Sequence, residues 1–221
     1  GYHTIPSVGF AWKFAGNASW KGNVSKGFRS PTIRELFLWG PNPELSPETI
    51  INYETGVSNT FYQGKLSTEL TFFLIQGDNL IVTVPLQGLL NAGEINNKGV
   101  EVLINARPVK NLGLLATYSY IHMEDPVYAT PEHNLYLSAN YQWKKLRFNA
   151  SLQQIVNLDN DPSPVVSSED YTLLKAKAAY SINKYLRWYV SGENLLNEKY
   201  QVNRYYTMPG ATVFTGINIS L

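Results

Sequence analysis

Apolar and polar residues alternate with a period of two along almost the whole chain, and no other feature constrains the fold as tightly. Val8, Phe10, Trp12 and Phe14 alternate with Gly9, Ala11 and Lys13. Leu112, Leu114, Ala116, Tyr118 and Tyr120 share one parity, as do Leu135, Leu137, Ala139, Tyr141 and Trp143. Leu146, Phe148, Ala150 and Leu152 repeat the pattern, followed by Leu174, Ala176, Ala178 and Tyr180, then Leu186, Trp188 and Val190. Thr215, Ile217, Ile219 and Leu221 end the chain on one face. Alternate residues of a strand point to opposite faces, so these runs predict an all-β fold with one apolar and one polar face. About eleven strands are expected, each near the 9–11 residues that a tilted membrane strand requires.

The connections between these runs sort by length. Short turns fall at Gly16-Asn17, Tyr62-Gln63-Gly64, Val109-Lys110-Asn111, Lys144-Lys145 and Asn183-Lys184. Longer loops are expected at 30–46, 86–95, 124–132, 157–170 and 195–210. Short and long connections alternate. An outer-membrane barrel has this arrangement, with short periplasmic turns and longer extracellular loops. Tyr118, Tyr120, Tyr141, Trp143, Tyr180 and Trp188 lie near strand ends on the apolar face, where amphipathic rings meet headgroups. Ala139, Ala150, Ala176 and Ala178 lie on the same face, and a lipid wall tolerates small residues that a packed core must fill.

Charged residues make up 16% of the chain against about 25% in an ordinary soluble domain, while aromatics reach 13%. The net charge is +1 and the basic residues are scattered, so no nucleic-acid partner is implied. With no cysteine, a disulfide framework, a thiolate metal site and a cysteine nucleophile are excluded. No run approaches the roughly 18 apolar residues of a membrane helix, a test that is blind to barrels.

Four stretches carry a resemblance. The first is Gly27-Phe28-Arg29-Ser30-Pro31-Thr32, then Asn42-Pro43-Glu44-Leu45-Ser46-Pro47-Glu48. The second is Asp78-Asn79-Leu80-Ile81, then Asn91-Ala92-Gly93 and Lys98-Gly99-Val100-Glu101. The third is Tyr118-Ser119-Tyr120. The fourth is Glu193-Asn194-Leu195-Leu196-Asn197-Glu198-Lys199-Tyr200, then Pro209-Gly210. In this order they resemble the TonB-dependent outer-membrane receptor family, whose members carry Phe-Arg-Ala-Pro and Asn-Pro-Asn-Leu boxes, a Gly-X-Glu and an Asn-Leu-X-Asp/Asn-X-X-Tyr followed by Pro-Gly-Arg. The residues that match are Phe28, Arg29, Pro31, Asn42, Pro43, Leu45, Gly99, Glu101, Asn194, Leu195, Tyr200, Pro209 and Gly210. Ser30 stands in place of the Ala, Glu44 in place of the second Asn, Ala211 in place of the Arg, and Leu221 in place of a terminal aromatic.

The resemblance implies a transmembrane antiparallel up-and-down β-barrel in the outer membrane, and a transport protein rather than an enzyme. Transporters of this kind have 22 strands and a plugged lumen. The chain is therefore expected to be the C-terminal half of such a barrel, residues 1–221, with the plug and first half of the barrel absent, and not to transport alone. Its implied partners are membrane lipid, the N-terminal plug and remaining barrel, TonB through that plug, and a small extracellular ligand such as an iron–siderophore, vitamin or glycan. Ligand contacts are expected from Arg29, Arg34, Trp39, Tyr128 and Tyr205, because loop arginines and aromatics suit anionic, planar or sugar ligands. Two other readings stand open: a small self-contained outer-membrane barrel, either adhesin or enzyme, and a soluble β-sandwich binding module.

No cofactor is expected and nothing points to catalysis. There is no Gly-X-Ser-X-Gly elbow and no phosphate loop. His122 and His133, with Glu124, Asp125 and Glu132, are the nearest approach to a metal site. Asp159, Asp161, Glu169 and Asp170 offer oxygen ligands of the kind calcium takes, but the spacing is not that of an EF-hand. Surface histidines and solvated loop carboxylates are the ordinary outcome for both groups. Residues 28–45 hold no His, the haem ligand that haem receptors of the family place there, so haem is not the expected ligand.

Overall fold

The computed structural model describes residues 3–38, 40–84, 86–124, 127–160 and 168–220. Its strands are β1 (Ser7–Ala15), β2 (Ala18–Arg29), β3 (Glu48–Phe61), β4 (Leu66–Val84), β5 (Gly88–Val109), β6 (Leu112–His122), β7 (Pro131–Trp143), β8 (Leu146–Asp159), β9 (Ser168–Ser181), β10 (Leu186–Glu193), β11 (Gln201–Asn203), β12 (Tyr206–Thr207) and β13 (Thr212–Ile219). One short helix, α1 (Ile33–Phe37), interrupts the first long loop. The main sheet has 11 strands among the described residues, in the order β1 through β10 followed by β13. Sequential neighbours pair antiparallel, as hairpin-sized connections require. β11 and β12 form a separate ribbon inside the last loop.

The turns follow from local chemistry. Lys144 sits at φ 53° in the β7–β8 turn. In the β9–β10 turn the Asn183 side-chain oxygen accepts from the amides of Tyr185 and Leu186, at 2.8 and 2.9 Å. Tyr62, Gln63 and Gly64 take three successive left-handed conformations between β3 and β4, and the last of these suits glycine.

Two expectations are corrected. Residues 86–95 are not a long loop: β4 runs to Val84, a tight turn follows, and β5 starts at Gly88. The run Asn91-Ala92-Gly93-Glu94 reads as loop because its residues have low strand propensity. The sheet ladder overrides this, and the Asn91 amide adds bonds from its Nδ2 to the carbonyls of Ser46 and Asn79. Strand length in the main sheet is also more variable than expected, from 8 residues in β10 to 22 in β5. Strands longer than a bilayer needs carry their surplus as polar segments such as Asn91–Asn97.

The chain divides into two units, each described by itself. One is Gly1–Val57, Thr71–Val100 and His122–Asp125; the other is Ser58–Leu70, Glu101–Ile121 and Pro126–Leu221. In both, the alternating apolar set stands exposed rather than forming a core. Val8 is 74% exposed, Trp12 58%, Trp143 52% and Ile217 59%, and no large side chain is fully buried among the described residues. This is the inverse of a soluble sandwich, whose apolar faces cover each other.

Two tryptophans of the exposed set have their indole N–H bonded within the sheet. In the first unit the Trp20 indole N–H donates to Thr55 Oγ1 at 2.8 Å, and that hydroxyl donates to the carbonyl of Lys21 at 3.3 Å. In the second unit Trp188 donates to Thr215 Oγ1 at 2.9 Å, and Thr215 donates to the carbonyl of Tyr189 at 2.8 Å. Each relay ends on the residue after the tryptophan. Facing glycines make room for large rings. A Cβ on Gly22 would lie 2.4 Å from the Phe10 ring, and one on Gly216 would lie 2.7 Å from the Tyr189 hydroxyl.

Cross-strand register in the second unit aligns Ala139, Ala150 and Ala176. Ala139 and Ala150 of this row line a shallow apolar hollow of about 450 Å3 bordered by Leu114, Leu137, Leu152 and Leu174. The opposite parity carries a polar ladder. Asn149 donates to Asn140 at 2.7 Å, Gln153 donates to Asn134 at 3.2 Å, and Lys177 pairs opposite Asn149.

Candidate functional site

In the first unit, the loop after β2 is held by a charged clamp. Arg29 Nε and Nη2 donate to the two oxygens of Glu48 at 2.5 and 2.7 Å. Its Nη1 and Nη2 reach Glu35 at 3.1 to 3.2 Å. The planar guanidinium suits such paired acceptors. Glu48 is buried and also accepts from the Ile81 amide at 2.8 Å. One guanidinium thus ties α1 to the starts and ends of the strands beneath it.

Helix α1 begins with a capping box spelled Thr32-Ile33-Arg34-Glu35. The Thr32 hydroxyl accepts from the Glu35 amide, and the Glu35 carboxylate accepts from the Thr32 amide at 2.7 Å. The Arg29 bonds, followed by those from Thr32, hold the Glu35 carboxyl down to about 2. Asn42 then turns the chain: its oxygen accepts from the Glu44 amide, and its Nδ2 donates to the Leu89 carbonyl at 2.9 Å. Asn91 Oδ1 accepts from the Ser46 amide at 2.8 Å. Leu45 is buried, and Phe28 stacks on His3 with ring centroids 4.4 Å apart.

In the second unit the last long loop is organised by Asn194, buried and at φ 49°. Its Nδ2 donates to the carbonyls of Glu198 and Pro209, and its oxygen accepts from the Glu198 amide. Three bonds from one side chain close the loop around Pro209-Gly210. Asn197 Oδ1 accepts from the Ala211 amide, and a Cβ on Gly210 would lie 2.6 Å from that oxygen. The Leu195 amide donates to the Leu174 carbonyl. Tyr200 is buried against Tyr171, with centroids 4.4 Å apart, and burial pushes its phenol up.

Three loops of this unit meet beside it. Tyr128 donates to Asn203 at 2.8 Å, and the Ala129 amide donates to the Asp159 carbonyl. The Arg204 amide donates to the Asn160 carbonyl. Glu169 accepts from Asn160 Nδ2 and from the Gln201 amide. Tyr205, at the tip of the β11–β12 ribbon, is 81% exposed and lies 5.0 Å from the Arg204 guanidinium.

Of the expected ligand contacts, Tyr128 bonds to Asn203 of the β11–β12 ribbon and Tyr205 lies at the tip of that same ribbon. Arg29 is taken up by the clamp. Arg34 is an exposed residue of α1, and Trp39 lies outside the described residues. Gly99 and Glu101 lie within β5, distant from any loop in sequence. Sequence reasoning names Glu48 and Asn91 only within the motif stretches and Glu169 only as a calcium ligand, and it misses Asn160 and Asn203. It also passes over Glu35, which carries a local signal as the fourth residue of a capping box.

The carboxylates weighed as metal ligands brace loops instead. Glu124 accepts from Asn96, Glu132 from Asn157, and Asp170 from the Asn157 amide. His133 Nδ1 is hydrogen-bonded to the Tyr118 hydroxyl at 2.9 Å, and its ring stacks on Tyr120. Asp125 and Asp161 lie outside the described residues. No group of three or more His, Asp or Glu is placed to hold a metal among the described residues.

The family profile described as "TonB dependent receptor-like, beta-barrel" matches residues 1–195. The chain belongs to this family. It is thus part of a receptor-like β-barrel of the outer membrane. The iron-regulated outer membrane virulence protein of Vibrio cholerae serotype O1 is 23% identical over all of this chain and 40% of its own length. The ferric-pyoverdine 358 receptor of Pseudomonas putida is 26% identical over 71% of this chain and 22% of its own. The crystal structure of the ferric-catecholate import receptor Fiu from K12 E. coli superposes with a TM-score of 0.80 at 16% identity, over 96% of this chain and 34% of that one. The chain therefore spans well under half the length of these relatives. Within this TonB-dependent receptor fold, the matched box residues Arg29, Asn42 and Asn194 are the braces of the long loops.

Proposed function

We propose that this chain is the C-terminal part of the wall of an outer-membrane receptor that takes up a ferric siderophore, with TonB supplying the energy through a plug on the same receptor. The observation that carries this reading is the family match over residues 1–195, together with an apolar face left bare for lipid and long loops braced at one side of the strands. Similar proteins are named as ferric-pyoverdine and ferric-catecholate receptors, which favours a ferric siderophore over a vitamin or glycan. Arg34, Trp39, Tyr128 and Tyr205 are the side chains we assign to ligand contact. Arg29 is reassigned from ligand contact to holding the loop, because its three nitrogens already donate to carboxylates.

The test uses the receptor that contains this chain, expressed in a host stripped of its own siderophore receptors. Under iron limitation, uptake of radiolabelled iron is measured for catecholate, pyoverdine-type and hydroxamate chelates. Saturable uptake of one class, abolished when TonB is deleted, is expected. Iron uptake indistinguishable from the empty host for all three classes, with saturable uptake of a vitamin or glycan, sinks the siderophore assignment.

A further inference from the structure

The short turns of the second unit form a rim whose charge is one-sided. They comprise residues 61–66, 107–112, 143–146 and 181–186. These segments hold Lys65, Arg107, Lys110, Lys144, Lys145 and Lys184, and no Asp or Glu. The whole chain is nearly balanced, with 18 basic and 17 acidic residues, so this purity is local. The opposite ends of the same strands carry Glu132, Asp159, Glu169, Asp170, Glu193 and Glu198.

Backbone bonds stitch the turns to one another. The Arg107 amide donates to Lys65 O, Gln142 to Asn111 O, Ser181 to Lys145 O, and Ser220 to Tyr185 O. Successive turns therefore lie two strand spacings apart, about 10 Å. The five exposed ammonium groups of Lys65, Lys110, Lys144, Lys145 and Lys184 thus give the rim a local positive potential that anions can answer.

The rim also borders the apolar face. Lys144 Nζ lies 5.4 Å from the centre of the Trp143 ring, and Lys184 Nζ lies 4.6 Å from that of Tyr185. Both rings are about half exposed. Lys145 Nζ donates to the Ile182 carbonyl at 3.3 Å, which holds it beside another exposed apolar side chain. An ammonium held against an interfacial ring stands at headgroup level, with its stem along the hydrocarbon edge.

We infer that this rim binds the anionic headgroups of phospholipids in the membrane leaflet that the short turns meet. The inference rests on the outer-membrane placement and goes beyond ligand uptake, because it names a lipid class that fixes the depth of the wall. A protein partner would not require its basic groups to be placed beside the Trp143 ring and the Ile182 side chain of the apolar face, which is why lipid is favoured.

The test reconstitutes the receptor containing this chain into phosphatidylcholine vesicles with or without phosphatidylglycerol. Lipid retained by the detergent-released protein is then counted by native mass spectrometry. Phosphatidylglycerol is expected to be retained in preference to phosphatidylcholine. Each Lys→Gln among Lys65, Lys110, Lys144, Lys145 and Lys184 is expected to lower that preference by about fivefold where it meets a headgroup, the equivalent of about 1 kcal/mol per basic residue. The fivefold variant should retain the two lipids equally, while Lys199→Gln, in a long loop, should behave as the parent. Equal retention by the parent, or an unchanged preference in the fivefold variant, overturns the inference. So does displacement by millimolar inorganic phosphate, which would mark a free-anion site. Failure to insert into either vesicle would instead contradict the membrane placement.

Discussion

The indole N–H of Trp188 donates to the hydroxyl of Thr215 on the neighbouring strand, and that hydroxyl passes its own proton bond to the carbonyl beyond the tryptophan. The ring is about half exposed on the apolar face, near the strand end. Thr215→Val keeps the shape and removes the acceptor. It is expected to destabilise the wall by about 0.5–1.5 kcal/mol, the net worth of a hydrogen bond. Urea unfolding in phospholipid vesicles measures this, and Thr215→Ser should restore most of the loss. A Val variant as stable as the parent would show that the relay contributes nothing.

The apolar row behind this pair makes a second prediction. Ala139→Arg or Ala176→Arg places a charge on the lipid face, at about 2–4 kcal/mol near the bilayer midplane. Asn149→Arg, on the polar parity and opposite Lys177, should cost far less. Equal losses at the two faces in the same unfolding assay would be incompatible with the facing described.

The clamp on the first long loop predicts a local opening. Glu48→Gln removes the charge that pairs with Arg29 and weakens two bonds to it. A loss of about 1–2 kcal/mol is expected, because bonds to charged groups are worth about 1.5–3 kcal/mol and Arg29 is part exposed. Limited proteolysis within residues 30–46 should then accelerate roughly tenfold, since 1.4 kcal/mol is a factor of ten. Arg29→Lys should not rescue it, because a point charge lacks the fork that reaches both carboxylates. Cleavage at the parental rate in Glu48→Gln would remove the clamp from the argument.

The same cluster fixes a pH dependence. The Glu35 carboxyl is lowered from the ordinary 4.5 to about 2, chiefly by its bond from Arg29. A depressed acid stabilises fully above its unfolded value, so the contribution is whole above about 4.5. It is lost progressively as pH falls toward 2. The carbon-13 shift of the Glu35 carboxyl is therefore expected to titrate well below ordinary glutamates. Thr32→Ala should raise the midpoint by deleting a hydroxyl donor. A midpoint near 4.5 in the parent would contradict the geometry.

The sheet was legible because two faces in different solvents impose strict parity on the residues. Val8-Phe10-Trp12 and Leu135-Leu137-Ala139 announce their strands without any tertiary information. The turns at Lys144 and Asn183 were legible for the same kind of reason, since their bonds are made within a few residues. The stretch from Leu86 to Ile95 was misread because its small and amide residues have weak strand propensity, and only pairing across the sheet makes them a strand.

Strand parity and the alternation of short and long connections are written in the amino-acid order alone. Each depends on residues close together in the chain. Only the tertiary structure decided that Arg29 is spent between Glu35 and Glu48, that Tyr128 meets Asn203, and that Trp188 finds Thr215. Those partners lie 6, 19, 75 and 27 residues apart. Period two says which face a side chain takes, but register and loop packing say which neighbour it meets there.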